Sequence, residues 1–241
     1  MNGSGWRTPG SGVQLVVPPV TPMIKSILIA CGGAFVLQLL AGLEVVRIFG
    51  LSPQLATTHF FLWQYFTYLF LHGDISHLLF NLLGLWMFGG DVEQRMGSRE
   101  FLRFYLLCGA GAGVVWVGVS WLAGTSGITI GASGAIFGVL TAFALMFPER
   151  IILVMLIFPM RARTAALLFA GIELLASWGY AGSGVNRVAH LAGMAIAYIY
   201  LRRYTLGLQL RGLLGRRRSR PFTIYRGGSG WKSDQDDRWL H

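Results

Sequence analysis

The stretch GASGAIFGVLTAFALMFPER, residues 131–150, decides the fold. From Ser133 to Phe147 it carries no charge, and Pro148-Glu149-Arg150 ends it. Proline disfavours a helical residue before it, and charged side chains belong in water rather than hydrocarbon. The stretch reads as a membrane-spanning helix that opens on a serine inside Gly131-Ala132-Ser133-Gly134. Comparable apolar runs lie on both sides: Met23–Val46, about His77–Gly90, Phe104–Ala123, Thr164–Trp178 and Val188–Leu201. The first has the ~20 residues that a spanning helix needs. Six spans are therefore expected.

Composition agrees. The 241 residues are 54% hydrophobic and 12% charged, with a mean hydropathy of +0.57. A soluble domain carries about 25% charged residues, so the bilayer is the solvent these side chains suit. Cys31 and Cys108 both sit inside apolar runs, which excludes a disulfide framework or a zinc site and makes them buried small hydrophobes. Leu28-Ile29-Ala30-Cys31 loosely resembles a lipoprotein cleavage box. Only five residues separate Lys25 from Cys31, fewer than the roughly 7–15 apolar residues of a signal segment, so an uncleaved first span is expected.

The segments between spans have their own character. Residues 1–22 are rich in Gly, Pro and Ser and read as a flexible cytoplasmic arm. Arg47–Ser76 is aromatic but half-polar, as suits a membrane interface. Asp91 to Arg103 is a charged patch, and Gly124–Ala132 a small-residue loop. Ile151–Met160 is too short to cross and reads as an interfacial loop. A glycine-rich loop, Gly179–Gly184, precedes the last span. The expected organisation is an arm over 1–22, a six-span core over 23–205 and a basic cytoplasmic tail over 206–241.

The net charge of +10 is explained by topology rather than by nucleic acid. With both termini on one side, the arm holds Arg7 and Lys25, the second-to-third connection Arg95, Arg99 and Arg103, and the fourth-to-fifth Arg150, Arg161 and Arg163. The segment from Arg202 onward holds all the rest except Arg47 and Arg187. The positive-inside rule then puts both termini in the cytoplasm, with the arginine-rich tail against anionic headgroups.

Polar groups within spans are costly and mark function. His77 and Asn81, spaced i, i+4, share one face of the second span. Ser133 opens the fourth, and His190 lies near the start of the sixth. At ~1.5 Å per residue, Ser133 stands roughly 21 Å from Phe147, His190 roughly 18 Å from Arg202, and Asn81 roughly 18 Å from Glu93. In a hydrocarbon layer ~30 Å thick these groups share one level, below the outer surface. The expected fold is thus an all-α integral membrane protein, a compact bundle of six transmembrane helices around a submerged, outward-open hydrophilic cavity.

The residue types suit acyl transfer. A serine hydroxyl needs a base to become nucleophilic, and His190 is the natural one for Ser133. A developing oxyanion needs donors: the backbone N–H of Ser133 and the side chains of His77 and Asn81 are candidates. Gly131 and Gly134 let backbone and substrate approach closely. Glu173, in the fifth span, has no motif context; a structural hydrogen bond and a role in the cavity stand equally open.

These residues resemble the rhomboid family of intramembrane serine proteases. His72-Gly73-Asp74-Ile75-Ser76-His77-Leu78-Leu79-Phe80-Asn81 matches its HxxxxHxxxN pattern, Gly131-Ala132-Ser133-Gly134 its GxSG motif, and Ala189-His190-Leu191-Ala192-Gly193 the surroundings of its histidine. The three occur in order over residues 23–205, as in the bare six-span core of bacterial-type members. The resemblance implies an endopeptidase without cofactor or metal. Ser133 and His190 form its catalytic dyad, and His77, Asn81, Ser133 and Gly131 bind the oxyanion and substrate. It implies structural roles for His72, for Glu93, Arg95 and Gly97 in the turn after the second span, and for Gly193 and Ala197 in a small-residue contact between the sixth and fourth spans. The segment around Trp178–Gly184 would gate and cap the site. Implied partners are transmembrane protein substrates and the lipid bilayer, not nucleic acid; the oligomeric state is not readable, and the implied location is a bacterial inner membrane. One departure is visible: many members carry Trp-Arg in the first long loop, and this chain has Trp63-Gln64.

Competing readings are weaker on residues. No His-Glu-x-x-His occurs for a zinc protease, and Asp74 and Asp91 flank the second span instead of pairing within it. A catalytically inactive rhomboid-like protein that binds transmembrane clients would be marked by loss of the serine or histidine, and both are present. A transporter would show repeated broken helices, which this sequence lacks.

Overall fold

The computed structural model describes residues 18–154, 157–177 and 184–213. Helix α1 (Pro22–Ala41) starts with proline in its first turn, where a missing N–H costs nothing. The first span was expected to run on to Val46. It stops instead at Gly42, whose φ of 68° leaves the helical region, and the chain restarts as α2 (Leu43–Phe49).

The aromatic, half-polar segment expected at the membrane interface has regular structure of its own. It folds into α3 (Pro53–Thr58), α4 (Gln64–Thr67) and a 3-10 turn, Tyr68–Phe70. Gln64 organises it: fully buried, it accepts from the Ser52 N–H at 3.1 Å and donates to the Arg47 and Ile48 carbonyls at 3.3 and 3.1 Å.

Helix α5 (Ile75–Met96) is capped by Asp74, which accepts the His77 N–H at 2.8 Å. Gly97, at φ 86°, separates it from α6 (Ser98–Leu122) by a single residue. The expected limits Gly90 and Phe104 were too narrow. The charged residues between them occupy helix ends rather than a loop, because Glu, Gln and Arg are good helix formers that need only reach water. Glu93, 2% exposed, accepts from the Met23 and Ile24 N–H groups at 3.0 Å each, from Ser98 Oγ at 2.5 Å and from Thr21 Oγ1. One carboxylate thus satisfies the open donors of α1 and ties that helix to the α5–α6 turn.

Helix α7 (Ser133–Met146) is almost wholly apolar and is buried except along a half-buried stripe of Ser133, Phe137, Thr141 and Leu145, as suits a central helix. It packs on α5, α6, α8 (Ala162–Ser177) and α9 (Gly184–Leu213). The expected interfacial loop after it is an antiparallel hairpin, β1 (Ile151–Val154) against β2 (Phe158–Arg161), with Ile151 opposite Arg161. Ile-Ile-Leu-Val is too short for a helix and its β-branched side chains suit a strand. Arg150 holds the base of the hairpin to α5 through Asp91 at 2.7 Å. Helix α9 does not stop near Leu201. It continues to Leu213, through the expected start of the tail, since residues 202–213 contain no proline and are rich in Leu and Arg.

Among the described residues three helices, α1, α5 and α6, are long and apolar enough to cross a membrane, and α7 is a shorter apolar helix. Large apolar side chains face outward on the peripheral helices, among them Leu39 and Leu40 on α1, Leu107 and Leu122 on α6, and Leu167 and Leu175 on α8. Apolar surface of that extent suits lipid and not water.

Candidate active site

Ser133 is the first residue of α7, and Ala132 before it offers no side-chain cap. The first-turn N–H groups of that helix, Ser133's included, have no intrahelical acceptor and point out past the serine. The preceding loop is held against the first long segment. Leu51 and Thr129 exchange backbone hydrogen bonds at 3.0 and 2.9 Å, and the Gly131 N–H donates to the Tyr68 carbonyl at 2.9 Å. Tyr68 itself donates through its hydroxyl to the Gly109 carbonyl at 2.7 Å, anchoring that segment on α6. Gly131 has φ 123°, and a β-carbon there would lie 2.7 Å from His77 Nε2. Only glycine fits this position on both counts.

His190 lies on α9, its side chain about one-fifth exposed. Its Nε2 is 2.7 Å from Ser133 Oγ. The close approach comes from glycines: a β-carbon on Gly193 would overlap the Gly134 carbonyl oxygen, and one on Gly138 would lie 3.2 Å from the Gly193 carbonyl oxygen. Ala197, one turn further along α9, is fully buried. The imidazole is stacked on Phe137, with ring centroids 4.6 Å apart and planes 8° from parallel. On its other edge Nδ1 lies 3.1 Å from Glu173 Oε1.

His77 sits half-buried on α5 with Nδ1 accepting from the Gly73 N–H at 3.4 Å, so Nε2, assigned as the protonated nitrogen, is the one toward Gly131. Asn81 is buried and donates to the His77 carbonyl at 2.8 Å, which engages one of its two amide protons. His72 is 1% exposed. Gln38 of α1 grips its backbone, donating to the carbonyl and accepting from the N–H at 3.0 Å each. Its Nδ1 donates to the Phe70 carbonyl at 3.2 Å, and its Nε2 has no partner among the described residues. Burial, and then the neighbouring His77, push its pKa down to about 4 against the smaller opposing effect of the Phe70 carbonyl.

The remaining expected residues fall at the far end of α5. Glu93 caps α1, Gly97 makes the tight turn, and Arg95 is exposed. Residues 178–183, where the gate and cap were expected, lie outside the described residues, as do 1–17 of the arm and 214–241 of the tail. Several contributors had no sequence signal: Phe137, Gln38, and Asn186, whose Oδ1 accepts from Trp116 Nε1 at 2.7 Å and joins α9 to α6. Phe137 was findable only as the residue one turn after Ser133 on the same face.

The model of the rhomboid domain matches residues 59–205, more than half of the chain. Proteins named rhomboid protease GlpG from Klebsiella pneumoniae subsp. pneumoniae and from Klebsiella pneumoniae strain 342 are each 30% identical over 179 residues, covering 72% of this chain and 60% of theirs. The Salmonella paratyphi A protein of the same name is 28% identical over 180 residues, covering 73% of this chain and 60% of its own. The chain therefore spans less than two thirds of the length of these relatives. With the apolar helices and the motifs in order, these matches make the chain an integral membrane protein that belongs to the rhomboid family.

Proposed function

We propose that this chain is an intramembrane serine endopeptidase that hydrolyses peptide bonds in or near transmembrane segments of other membrane proteins. The observation that carries the reading is the 2.7 Å approach of Ser133 Oγ to His190 Nε2 across two helices in glycine contact. That distance suits proton transfer from the hydroxyl to the imidazole.

Ser133 Oγ attacks the scissile carbonyl carbon while its proton passes to His190 Nε2. The carbonyl oxygen becomes an oxyanion, met by the Ser133 N–H at the open end of α7 and by His77 Nε2; the free amide proton of Asn81 is the third candidate. Each such donor is worth roughly 10²–10³ in rate. The imidazolium then returns its proton to the departing amine, leaving an acyl-serine. Water, deprotonated by His190, releases the new carboxyl terminus and restores the serine.

The same reading puts six spans around a water-filled cavity open on the outer side, with both termini in the cytoplasm of a bacterial-type inner membrane. The distribution of arginines supports that orientation. The alternative, a client-binding protein without activity, has no observation in its favour while serine and imidazole stand in contact.

Purified protein incubated with a fluorescent single-span substrate tests the reading beside Ser133→Ala and His190→Ala. Cleavage by the wild type that disappears in both variants is expected. Cleavage surviving Ser133→Ala removes Ser133 as nucleophile.

A further inference from the structure

The geometry points to Glu173 as a positioning residue for His190, making this site a serine–histidine–glutamate array instead of a bare dyad; the inference rests on the reading of Ser133 and His190 given above. Glu173 is on the inward face of α8, in line with the buried Ala162, Ala165 and Ala166. Its side chain is 16% exposed, whereas its neighbours Ile172 and Leu174 are about half exposed. A carboxylate on a membrane helix is costly unless something charged or polar receives it. What receives it is the imidazole: Oε1 lies 3.1 Å from His190 Nδ1.

No other ion pair involves Glu173 among the described residues, and its Oε2 has no hydrogen-bond partner there. Arg187 of α9 is occupied elsewhere, donating to the Ala176 carbonyl. The two ring nitrogens of His190 therefore face different groups, Nε2 toward Ser133 and Nδ1 toward Glu173, while Phe137 fixes the plane. The alignment at Nδ1 falls short of a closed hydrogen bond in this structure.

Two consequences follow for the reaction. A carboxylate beside Nδ1 favours the tautomer with its proton there, leaving the Nε2 lone pair free to take the serine proton. When His190 becomes an imidazolium, the opposite charge 3.1 Å from its Nδ1 stabilises it. Neither effect touches the bound substrate directly, so the loss of either belongs in kcat and not in KM.

The test measures kcat and KM on one fluorescent single-span substrate for wild type, Ser133→Ala, Glu173→Gln, Glu173→Leu and Glu173→Asp, all as the full chain in the same detergent. Glu173→Gln and Glu173→Leu are expected to lower kcat about 10- to 100-fold with KM within about twofold. Glu173→Asp, which keeps the charge, should recover part of that loss. If Glu173→Leu does not fold, the near-isosteric Glu173→Gln decides. Wild-type kcat in Glu173→Gln, or a rise in KM with kcat unchanged, overturns the inference while leaving Ser133 and His190 standing. Cleavage by Ser133→Ala overturns the underlying reading and this inference with it.

Discussion

A β-carbon on Gly193 would overlap the carbonyl oxygen of Gly134, so α7 and α9 meet backbone to backbone beside the Ser133–His190 pair. Gly193 comes three residues after His190, and Gly134 one residue after Ser133. The separation of the two helices and the separation of the two reacting side chains are therefore one quantity.

Substituting Gly193 tests that coupling. Gly193→Ala forces the helices apart or strains them, at about 1–3 kcal/mol. Since proton transfer depends steeply on distance, reaction of Ser133 with a fluorophosphonate should slow at least about tenfold. Gly193→Val should be worse on both measures. An unchanged labelling rate in Gly193→Ala would show that the glycine contact does not set the serine–histidine distance.

Glu93 predicts a stability effect without a catalytic one. It accepts two backbone donors and the Thr21 hydroxyl at the start of α1 and the Ser98 hydroxyl at the start of α6, at the opposite end of α5 from Asn81 and His77. Glu93→Ala leaves those donors open and should cost about 2–4 kcal/mol, read as a lower unfolding temperature in detergent. Activity per folded molecule should stay near wild type.

Gln64 stands where the family resemblance leads one to expect arginine. Its carbonyl oxygen accepts from Ser52 and its amide donates twice. Gln64→Leu loses both functions and should cost about 2–3 kcal/mol. Gln64→Arg keeps donors but not the acceptor, and should fall between wild type and leucine in thermal unfolding.

His72 predicts the direction of acid sensitivity. Its pKa is about 4 in the folded chain and ~6.5 when unfolded, so the unfolded state binds the proton first. The contribution of this site is fully present above about pH 6.5 and is lost as pH falls toward 4, by up to about 3 kcal/mol. Unfolding followed between pH 7.5 and 4.5 should show a weaker decline in His72→Asn than in wild type. Equal slopes would exclude His72 as the source.

The helical, membrane-embedded character of the chain is legible from apolar run lengths, and the start of α7 at Ser133 from the glycines before it. Where polar residues sit inside apolar runs, as at His77, Asn81 and His190, cost alone makes them conspicuous. The surroundings of His190 are not legible in the same way. Phe137 is one apolar residue among many in α7, and Glu173 is polar but lies far from His190 in sequence, so only the packing of α7, α8 and α9 brings them to the ring. Gln38 and Gln64 are hidden for a related reason: each satisfies backbone groups of a loop whose path cannot be read from periodicity. The hairpin at 151–161 was missed because a short apolar run has no period to separate strand from loop.

The central claim, that Ser133 is a nucleophile activated by His190, is tested most directly by covalent trapping. The full chain is treated with a fluorophosphonate, digested, and the modified residue located by mass spectrometry in wild type and His190→Ala. The account predicts a single adduct on Ser133 that forms at least about 10²-fold more slowly without the imidazole. An adduct on another residue, or equal labelling of Ser133 in both proteins, would contradict it.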